Sequence, residues 1–262
     1  MINVGLIGTG KVAKAITLAS SDKNFSICAI YGRDKQKTQA LADLCDAKPL
    51  LQPDFPDHID VLLICINDDA IHTVAAEIQV GSHVVVAHTS GTQGVKLITP
   101  YFNHVGVFWP LQTFNEQRAI NFNTIPLCIE VNTPYAEQKL VLLASQLSSV
   151  IKLMTEQQRK TLHLAAVISC NFSNYLFYQA KHLLDQHELS FELLHPLLIE
   201  TVEKVCEMDP IDAQTGPAAR ADYQTIKAQQ QLLKNTETAQ LYDILTESIL
   251  ATFHKKNEEP SH

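Results

Sequence analysis

The sequence lacks long apolar runs and concentrated positive charge. No apolar run approaches the ~18 residues that a membrane-spanning helix needs, and no run of Lys or Arg exceeds two residues in a chain of net charge −8. Phosphate backbones are bound by clustered Lys and Arg, so the composition argues against nucleic acid as a partner. The first residues show neither the basic segment nor the cleavage site of a secretion signal. We therefore expect a cytoplasmic protein with no membrane and no nucleic acid as partner.

Cysteine pairs and metal-ligand spacings are absent as well. The six cysteines, at 28, 45, 65, 128, 170 and 206, form no Cys-x-x-Cys pair, and several lie in apolar runs. This favours reduced core cysteines over disulfides. The eleven histidines show no metal-binding spacing with Cys or carboxylates, so we expect no metal.

The first half of the chain alternates short apolar runs with helical patterns. This alternation is typical of βαβ units, and it predicts an α/β fold with a doubly wound, mainly parallel Rossmann sheet. The runs at 61–66 and 83–87 are apolar almost throughout, as expected for central strands covered on both faces. The strand-like runs are 2–7, 26–31, 61–66, 83–87, 105–108, 127–131 and 150–153, and the helical patterns are 11–20, 35–44, 70–78 and 135–147.

The pattern changes to helices alone near residue 154. Thr155 opens a capping-box sequence, which predicts a long helix to about Gln186. Further helices are expected at roughly 190–208, 217–234 and 237–254, with Pro196 kinking the first of them or delaying its start and Pro217 opening the second. The predicted domains are 1–153, an NAD(P)-binding Rossmann domain; 154–254, an all-helical substrate and dimerisation domain; and 255–262, a flexible tail.

The loop after the first strand has the pattern of a dinucleotide site. Gly8 permits a tight turn, Gly10 leaves bare backbone for a pyrophosphate, and Ala13 allows the helix to pack closely on the strand. The N–H groups of the helix N-terminus favour the anion. The alternative is a glycine turn without a ligand. The predicted cofactor-binding residues of this loop are Gly8, Thr9, Gly10, Lys11, Val12 and Ala13.

The end of the second strand indicates which dinucleotide is bound. NAD-binding proteins tend to place an acid there, whereas this chain has Tyr31-Gly32-Arg33. The guanidinium of Arg33 suits a 2′-phosphate, so NADP is favoured and NAD remains an alternative. The alternatives are that Arg33 belongs to the solvated surface or that Asp34 neutralises it.

Two further segments follow central strands and therefore reach the ligand edge of the sheet. Asn67 and Asp68 are predicted to contact the cofactor, and the alternative is that Asp68 or Asp69 caps the next helix. In the second segment, Ser90 is a candidate substrate contact and His88 a candidate catalytic group. A structural turn is the alternative for this second segment.

The long helix carries the leading catalytic candidate, His163. At 100° per residue, His163 and Asn174 share one stripe with Asn171 beside it, and apolar residues on the other faces predict a central, mostly buried helix. His163 is expected to act as a proton donor or acceptor, with Asn171 and Asn174 as substrate contacts. A hydrogen-bonded structural role is the alternative for all three.

The segment Thr215-Gly216-Pro217 is a candidate anion site. A helix N-terminus there, with Arg220 one turn on, would hold a substrate carboxylate or phosphate. Asp222 would orient the arginine. The alternative is a salt bridge between domains or protomers.

Four motifs together resemble one bacterial family. They are 84–91 (Val-Val-Val-Ala-His-Thr-Ser-Gly), 109–114 (Trp-Pro-Leu-Gln-Thr-Phe), 163–166 (His-Leu-Ala-Ala) and 215–222 with its Arg220 and Asp222. The chain resembles the Rossmann-like proteins, usually described as oxidoreductases, whose helical C-terminal half is domain of unknown function 2520. Their architecture is similar to that of deazaflavin-dependent NADP reductases and pyrroline-5-carboxylate reductase. The resemblance implies a helical domain that completes a substrate pocket and forms a homodimer.

The chain departs from its better understood relatives at two places. Trp109 stands where family members often have His. The Lys and Asn of β-hydroxyacid dehydrogenases are absent, because Val167 precedes Asn171 by one helical turn. The leading hypothesis is an NADP-dependent oxidoreductase acting on a small carbonyl or imine compound. The alternatives are a non-catalytic NAD(P)-binding sensor or scaffold and a deazaflavin-dependent NADP reductase.

Overall fold

The computed structural model describes residues 1–21, 23–115, 120–234 and 236–254. Its contacts form two compact units, Met1–Ile168 and Ser169–His262. The tail predicted at 255–262 lies outside the described residues. The first unit extends beyond 153 because the helix after Thr155 packs on the sheet, with Leu162 against Trp109 and Cys128.

The first unit is built on one eight-stranded sheet in the order β3-β2-β1-β4-β5-β6-β7-β8. All neighbouring strands are parallel except β6 and β7. This confirms the predicted doubly wound, mainly parallel sheet. The sequence pattern missed only β3, a three-residue edge strand that contains a proline. The strands are β1 Ile2–Ile7, β2 Phe25–Tyr31, β3 Lys48–Leu50, β4 Val61–Ile64, β5 Val85–His88, β6 His104–Pro110, β7 Leu127–Val131 and β8 Ile151–Leu153.

The central strands are covered on both faces. In β4, Val61 and Leu63 belong to one hydrophobic cluster, whereas Leu62 and Ile64 belong to another. Successive side chains of a strand point to opposite faces, so each cluster is the core on one side of the sheet. The continuous apolar run predicted for a central strand is thereby explained.

Side-chain caps define where several helices of the first unit begin. Asp34 accepts from the backbone N–H groups of Gln36 and Lys37, and Thr155 forms the predicted capping box with Gln158. The prediction that Asp68 or Asp69 is a cap was wrong, because the cap position is Asn67 and both acids lie in the first turn. The helices are α1 Lys11–Ala19, α2 Lys35–Asp43, α3 Asp68–Ala75, α4 Pro134–Leu147 and α5 Glu156–Ala166.

The long helix predicted from Thr155 contains a π-helical segment, Val167–Phe172, followed by α6, Ser173–Asp185. The wider π turn changes the angular period, so the α-helical stripe from His163 to Asn174 does not continue across it. The prediction that this helix is mostly buried is also wrong for the single chain. Leu164 is 59% exposed and Phe172 is 58% exposed.

The second unit is helical throughout its described part. Pro196 lies in the first turn of α7, so this element begins later than the pattern suggested. Pro217 begins only a short turn and not a helix. This turn ends at Ala221, which has a left-handed φ of +53°, and the next long helix begins after Asp222, whose carboxylate caps it. The remaining helices are α7 His195–Glu207, α8 Pro210–Ala213, α9 Tyr223–Leu232 and α10 Thr238–His254.

No helix in the described part of the chain is long and apolar enough to span a membrane. All six cysteines are free thiols. Cys65 and Cys128 are buried, but Cys170 and Cys206 are exposed, so the expectation of core cysteines holds for only part of the set.

Candidate functional site

Four parallel strands end at one edge of the sheet, and backbone contacts connect the segments that follow them. The N–H of Gly8, after β1, donates to the carbonyl of Tyr31 at the end of β2 (2.8 Å). The N–H of Cys65, after β4, donates to Ile7 (2.7 Å), and that of Thr89, after β5, donates to Ile64 (3.1 Å). Ligands of doubly wound sheets bind beyond this edge, so the predicted site residues of the first unit gather where a ligand is expected.

The glycine loop after β1 forms an open cradle. Gly8 has a φ of +106°, and a Cβ there would lie 2.3 Å from the carbonyl oxygen of Cys65, so no other residue fits. A Cβ on Gly10 would meet no atom within 4 Å, which leaves open space at the N-terminus of α1. No side chain caps that terminus and its first turn contains no acid.

This geometry fits the pyrophosphate of a dinucleotide, because free N–H groups and the helix dipole attract an anion. Thr9, Lys11, Val12 and Ala13 lie on the same turn and remain the predicted contacts of the loop.

The end of β2 lies beside the glycine loop. A Cβ on Gly32 would lie 2.9 Å from the methyl group of Thr9. Arg33 is exposed, and its side chain has no hydrogen bond or ion pair with any residue that the structure describes. Asp34 does not neutralise Arg33, since its carboxylate caps α2 and lies 4.0 Å from Lys37. The guanidinium is therefore available to an anion at this edge.

The loop after β5 is tied to α3 by hydroxyl groups. Ser90 and Thr92 both donate to one carboxylate oxygen of Asp68, at 2.6 and 2.5 Å. The Ser90 hydroxyl also accepts from the N–H groups of Thr92 and Gln93. Ser90 is only 6% exposed, and its hydroxyl group already has partners in α3 and in the loop. Contact of Ser90 with a substrate remains a prediction. Contacts of Asp68 and the exposed Asn67 with a cofactor remain predictions.

His88 is fully buried, and both of its ring nitrogens are occupied. Nε2 lies 3.3 Å from the carbonyl oxygen of Gly94, which can only accept, and Nδ1 lies 3.3 Å from the N–H of Ser90, which can only donate. These partners select the neutral Nε2–H tautomer. Burial lowers the pKa of His88 to about 4. His88 therefore has no free ring nitrogen for the catalytic role that the sequence suggested. We assign this residue to holding the loop.

His163 differs from His88 in its burial and in its hydrogen bonding. It is half-buried on α5, and its ring nitrogens have no hydrogen-bond partner among the described residues. The ring packs on Trp109, with centroids 5.6 Å apart. A Cβ on Gly91 would lie 2.5 Å from Cδ2 of His163, so the glycine allows the imidazole to approach the loop. His163 therefore offers unpaired nitrogens beside the loop after β5.

The sequence analysis missed a buried ion pair between Glu130 and Arg159, which precedes His163 by one turn of α5. Arg159 is fully buried, and its guanidinium donates to Glu130 at 2.8 and 3.2 Å. It also donates to the carbonyl oxygen of Gly91 at 2.7 Å. The one available signal was Glu130, an acid within the apolar run Leu127–Val131, because a buried charge requires a partner.

The other predicted substrate residues belong to the second unit. Asn171 lies in the π-helical segment and Asn174 in α6, and both are exposed. Arg220 is also exposed, and its charge contributes to the lowered pKa of Asp222, for which hydrogen bonds from Thr225 are the largest cause. The expected helix N-terminus beside Arg220 is absent, which removes half of the proposed anion site. Substrate binding by these three residues remains a prediction.

The second unit also contains a cavity of about 230 Å³. None of the predicted site residues lines it. Its lining comprises Tyr178, Gln179, His182, Leu183, Gln186, Leu233, Thr236, Glu237 and Thr238.

The lowered pKa of His88 predicts a pH-dependent loss of stability. An unfolded histidine titrates near pH 6.5, whereas folded His88 titrates at about 4. Between these values the unfolded chain binds a proton that the folded chain does not. The free energy of unfolding therefore has its full value with respect to His88 above pH ~6.5. It decreases as the pH falls towards ~4, by up to about 1.4 kcal/mol per pH unit.

Urea unfolding at several pH values between about 7 and 4.5 measures this effect. We expect His88→Gln to have a shallower pH dependence than the parent protein, and the exposed control His58→Gln to match the parent. Equal slopes for the parent and His88→Gln would show that His88 is not held neutral.

Comparison with known proteins agrees with this architecture. The profile of a Rossmann-like domain matches residues 1–112, and that of the domain of unknown function DUF2520 matches residues 125–249. The "putative NADP oxidoreductase" of Bacteroides fragilis is 31% identical, with 95% of this chain and 98% of that chain covered and a TM-score of 0.84. No protein of curated function matches the sequence.

More distant solved structures share the fold alone. A reductive aminase from Aspergillus terreus, in complex with NADPH and ethyl levulinate, is 14% identical, with 95% and 92% of the two chains covered and a TM-score of 0.67. A 1-pyrroline-5-carboxylate reductase from Streptococcus pyogenes is 13% identical, with 95% and 98% covered and a TM-score of 0.63.

The resemblance seen in the four motifs is confirmed by the two matched domains of this chain and by its 31% identity to the Bacteroides protein over nearly the full length of both chains. The chain belongs to the family of Rossmann-like proteins that carry the C-terminal domain of unknown function DUF2520.

Proposed function

We propose that this protein is an NADP-dependent oxidoreductase that acts on a small carbonyl or imine compound. The observation that carries the proposal is the cradle at Gly10, where open space meets an uncapped helix N-terminus without acids. The name of the Bacteroides relative and the NADPH complex of the Aspergillus enzyme support the same cofactor. Arg33 supports NADP over NAD, because it is a cation without a partner at the end of β2.

The cofactor would supply a hydride, and the chain must orient the substrate and provide a proton. The glycine loop would hold the pyrophosphate, and Arg33 the 2′-phosphate. His163 is the candidate proton donor, since its nitrogens are unpaired and its ring is fixed between Gly91 and Trp109. The apolar face of Trp109 excludes water from one side of the imidazole.

Removing the Arg33 guanidinium tests the choice of cofactor. We expect Arg33→Ala to weaken NADPH binding about 10- to 100-fold, which corresponds to the ~1.5–3 kcal/mol of hydrogen bonds to a charged group. Binding of NADH, which lacks the 2′-phosphate, should not change. Titration calorimetry with both cofactors measures the difference.

The control is Lys152→Ala, which removes one exposed cation from β8 at the far edge of the sheet. It should leave both affinities unchanged. Equal affinity of the parent protein for NADPH and NADH would contradict the assignment of NADP.

Turnover is tested with NADPH and a panel of small aldehydes, ketones and cyclic imines. We expect oxidation of NADPH with at least one class. We also expect His163→Gln to lower kcat by about 10²- to 10⁴-fold, the usual contribution of a positioned acid or base, while NADPH affinity is retained. The exposed His58→Gln is the matched control. Binding of NADPH without oxidation by any compound would favour a non-catalytic sensor instead.

We further propose that the second unit pairs with a second copy of the chain. Among its described hydrophobic residues, only Ala218, Ile226 and Leu233 are buried, which is a small core for a unit of this length. Phe172, Tyr175 and Tyr178 are 58%, 48% and 59% exposed. At ~200 Å² for a whole aromatic side chain, they expose roughly 300 Å², already as much as the largest apolar patch of many monomers.

Helix α7 also carries exposed apolar side chains, because Leu197, Ile199 and Val202 are 61%, 58% and 56% exposed. Obligate homodimer interfaces resemble a domain core cut in half, and this is the surface that such a dimer would cover. The same homodimer is implied by the resemblance to relatives of this architecture.

Light scattering after gel filtration tests the homodimer. We expect twice the chain mass of 29.1 kDa and a thermal midpoint that rises with protein concentration. Val202→Glu should shift the mass towards the monomer, because it places a charge in the apolar surface. Leu142→Glu, at a residue 48% exposed on α4, is the control. A monomeric parent protein at micromolar concentration would overturn the proposal.

A further inference from the structure

The loop Thr89–Val95 follows β5 at the ligand edge and is held from three sides. Asp68 binds its hydroxyl groups, and His88 binds the carbonyl of Gly94 from below. The third support is the pair Arg159–Glu130. The other carboxylate oxygen of Glu130 accepts from the N–H of Val95 at 3.3 Å. The pair therefore contacts the loop at both of its ends.

Arg159 directs its remaining donors at the loop backbone. Nη1 donates to the carbonyl oxygens of Gly91 at 2.7 Å and Ser90 at 3.4 Å, while Nε and Nη2 bind Glu130. The planar fork of a guanidinium makes these bonds in fixed directions, which a lysine ammonium cannot reproduce. The orientation of two successive carbonyl groups is thus tied to the carboxylate on β7.

Stability alone does not explain this pair. Arg159 is fully buried and the Glu130 side chain is 10% exposed, so both ions are removed from water. An apolar pair of similar volume is often equally or more stabilising in such a position. This buried pair hydrogen-bonds the backbone of the loop at the ligand edge. A role in positioning that loop explains the pair better than stability does.

Arg159 and His163 are four residues apart and therefore lie on one face of α5. Arg159 binds the carbonyl oxygen of Gly91, and the His163 ring packs against the Cα of the same residue. One glycine is thereby fixed by two side chains of one helix. The distance from the loop backbone to the imidazole is set by this double contact.

We propose that Arg159 and Glu130 are positioning residues, which set the Ser90–Gly91 backbone and His163 relative to the nicotinamide end of the cofactor. The inference rests on the proposed function, and it adds two residues that act through the loop and contact neither cofactor nor substrate. Their loss should impair orientation for hydride transfer while the phosphate-binding part of the site remains intact.

The test compares Arg159→Met, Arg159→Lys and the double variant Arg159→Met with Glu130→Met. The double variant removes both buried charges, so it separates positioning from stability. We expect Arg159→Met to lower the thermal midpoint because it leaves Glu130 buried without its partner, and the double variant to recover most of that loss. Lys160→Met, which breaks an exposed pair with Glu156, is the matched control.

In the double variant we expect NADPH affinity within about twofold of the parent. We expect kcat to fall about 10²-fold, the usual effect of a misplacement near 1 Å, and the fluorescence of the bound nicotinamide to shift. Arg159→Lys should show the same loss of kcat because it keeps the charge but not the fork. An unchanged kcat and an unchanged nicotinamide spectrum in the double variant would overturn the proposal.

Amide hydrogen exchange of the ligand-free protein separates this proposal from the proposed function. We expect faster exchange at Thr92, Gln93 and Val95 in the double variant, without any cofactor. If the parent protein fails to bind NADPH, the proposed function is wrong, and the exchange rates still report whether the pair holds the loop. Unchanged exchange in that case would overturn the positioning role as well.

Discussion

Parallel pairing of the first strands is the constraint on which the candidate site depends. Because β1, β2, β4 and β5 run in one direction, the segments that follow them meet at one edge and hydrogen-bond to one another. Residues far apart in sequence, from Gly8 to Ser90, are thereby brought to one edge of the sheet by the pairing of the backbone. Helix α5, which is more than 60 residues later in the chain than the loop after β5, contacts the same edge and adds Arg159 and His163.

The fold was largely predictable because its signals are local. Apolar runs marked seven of the eight strands, and turn and cap residues such as Gly8 and Thr155 marked the ends of elements. Gly8 and Gly10 also took the positions expected for a nucleotide loop, because their task is defined by backbone geometry. The α5 histidine was chosen by residue type, since few residue types titrate near neutral pH, and its catalytic role remains a prediction.

The missed features depend on long-range contacts. An arginine in a helical pattern reads as surface, and only the folded chain shows that Arg159 meets Glu130, 29 residues earlier in the sequence. His88 and Ser90 looked reactive by residue type, yet their partners within the loop occupy them. The helix expected at Pro217 ends after one short turn, because Ala221 has a left-handed φ of +53°. The apolar helices suggested a buried core, but Leu164 and Phe172 are 59% and 58% exposed in the described part of the chain.

The close contact at Gly91 also limits how the family can vary. A Cβ at this position would lie 2.5 Å from His163 and 2.9 Å from Trp109, and real Cβ atoms do not approach so closely. A larger residue at position 91 therefore needs more space from both side chains, because a Cβ that is clear of the histidine would still lie 2.9 Å from Trp109. The three positions constrain one another, and loss of the histidine alone does not lift the requirement for glycine. A change at position 91 would thus require changes at both of the other positions.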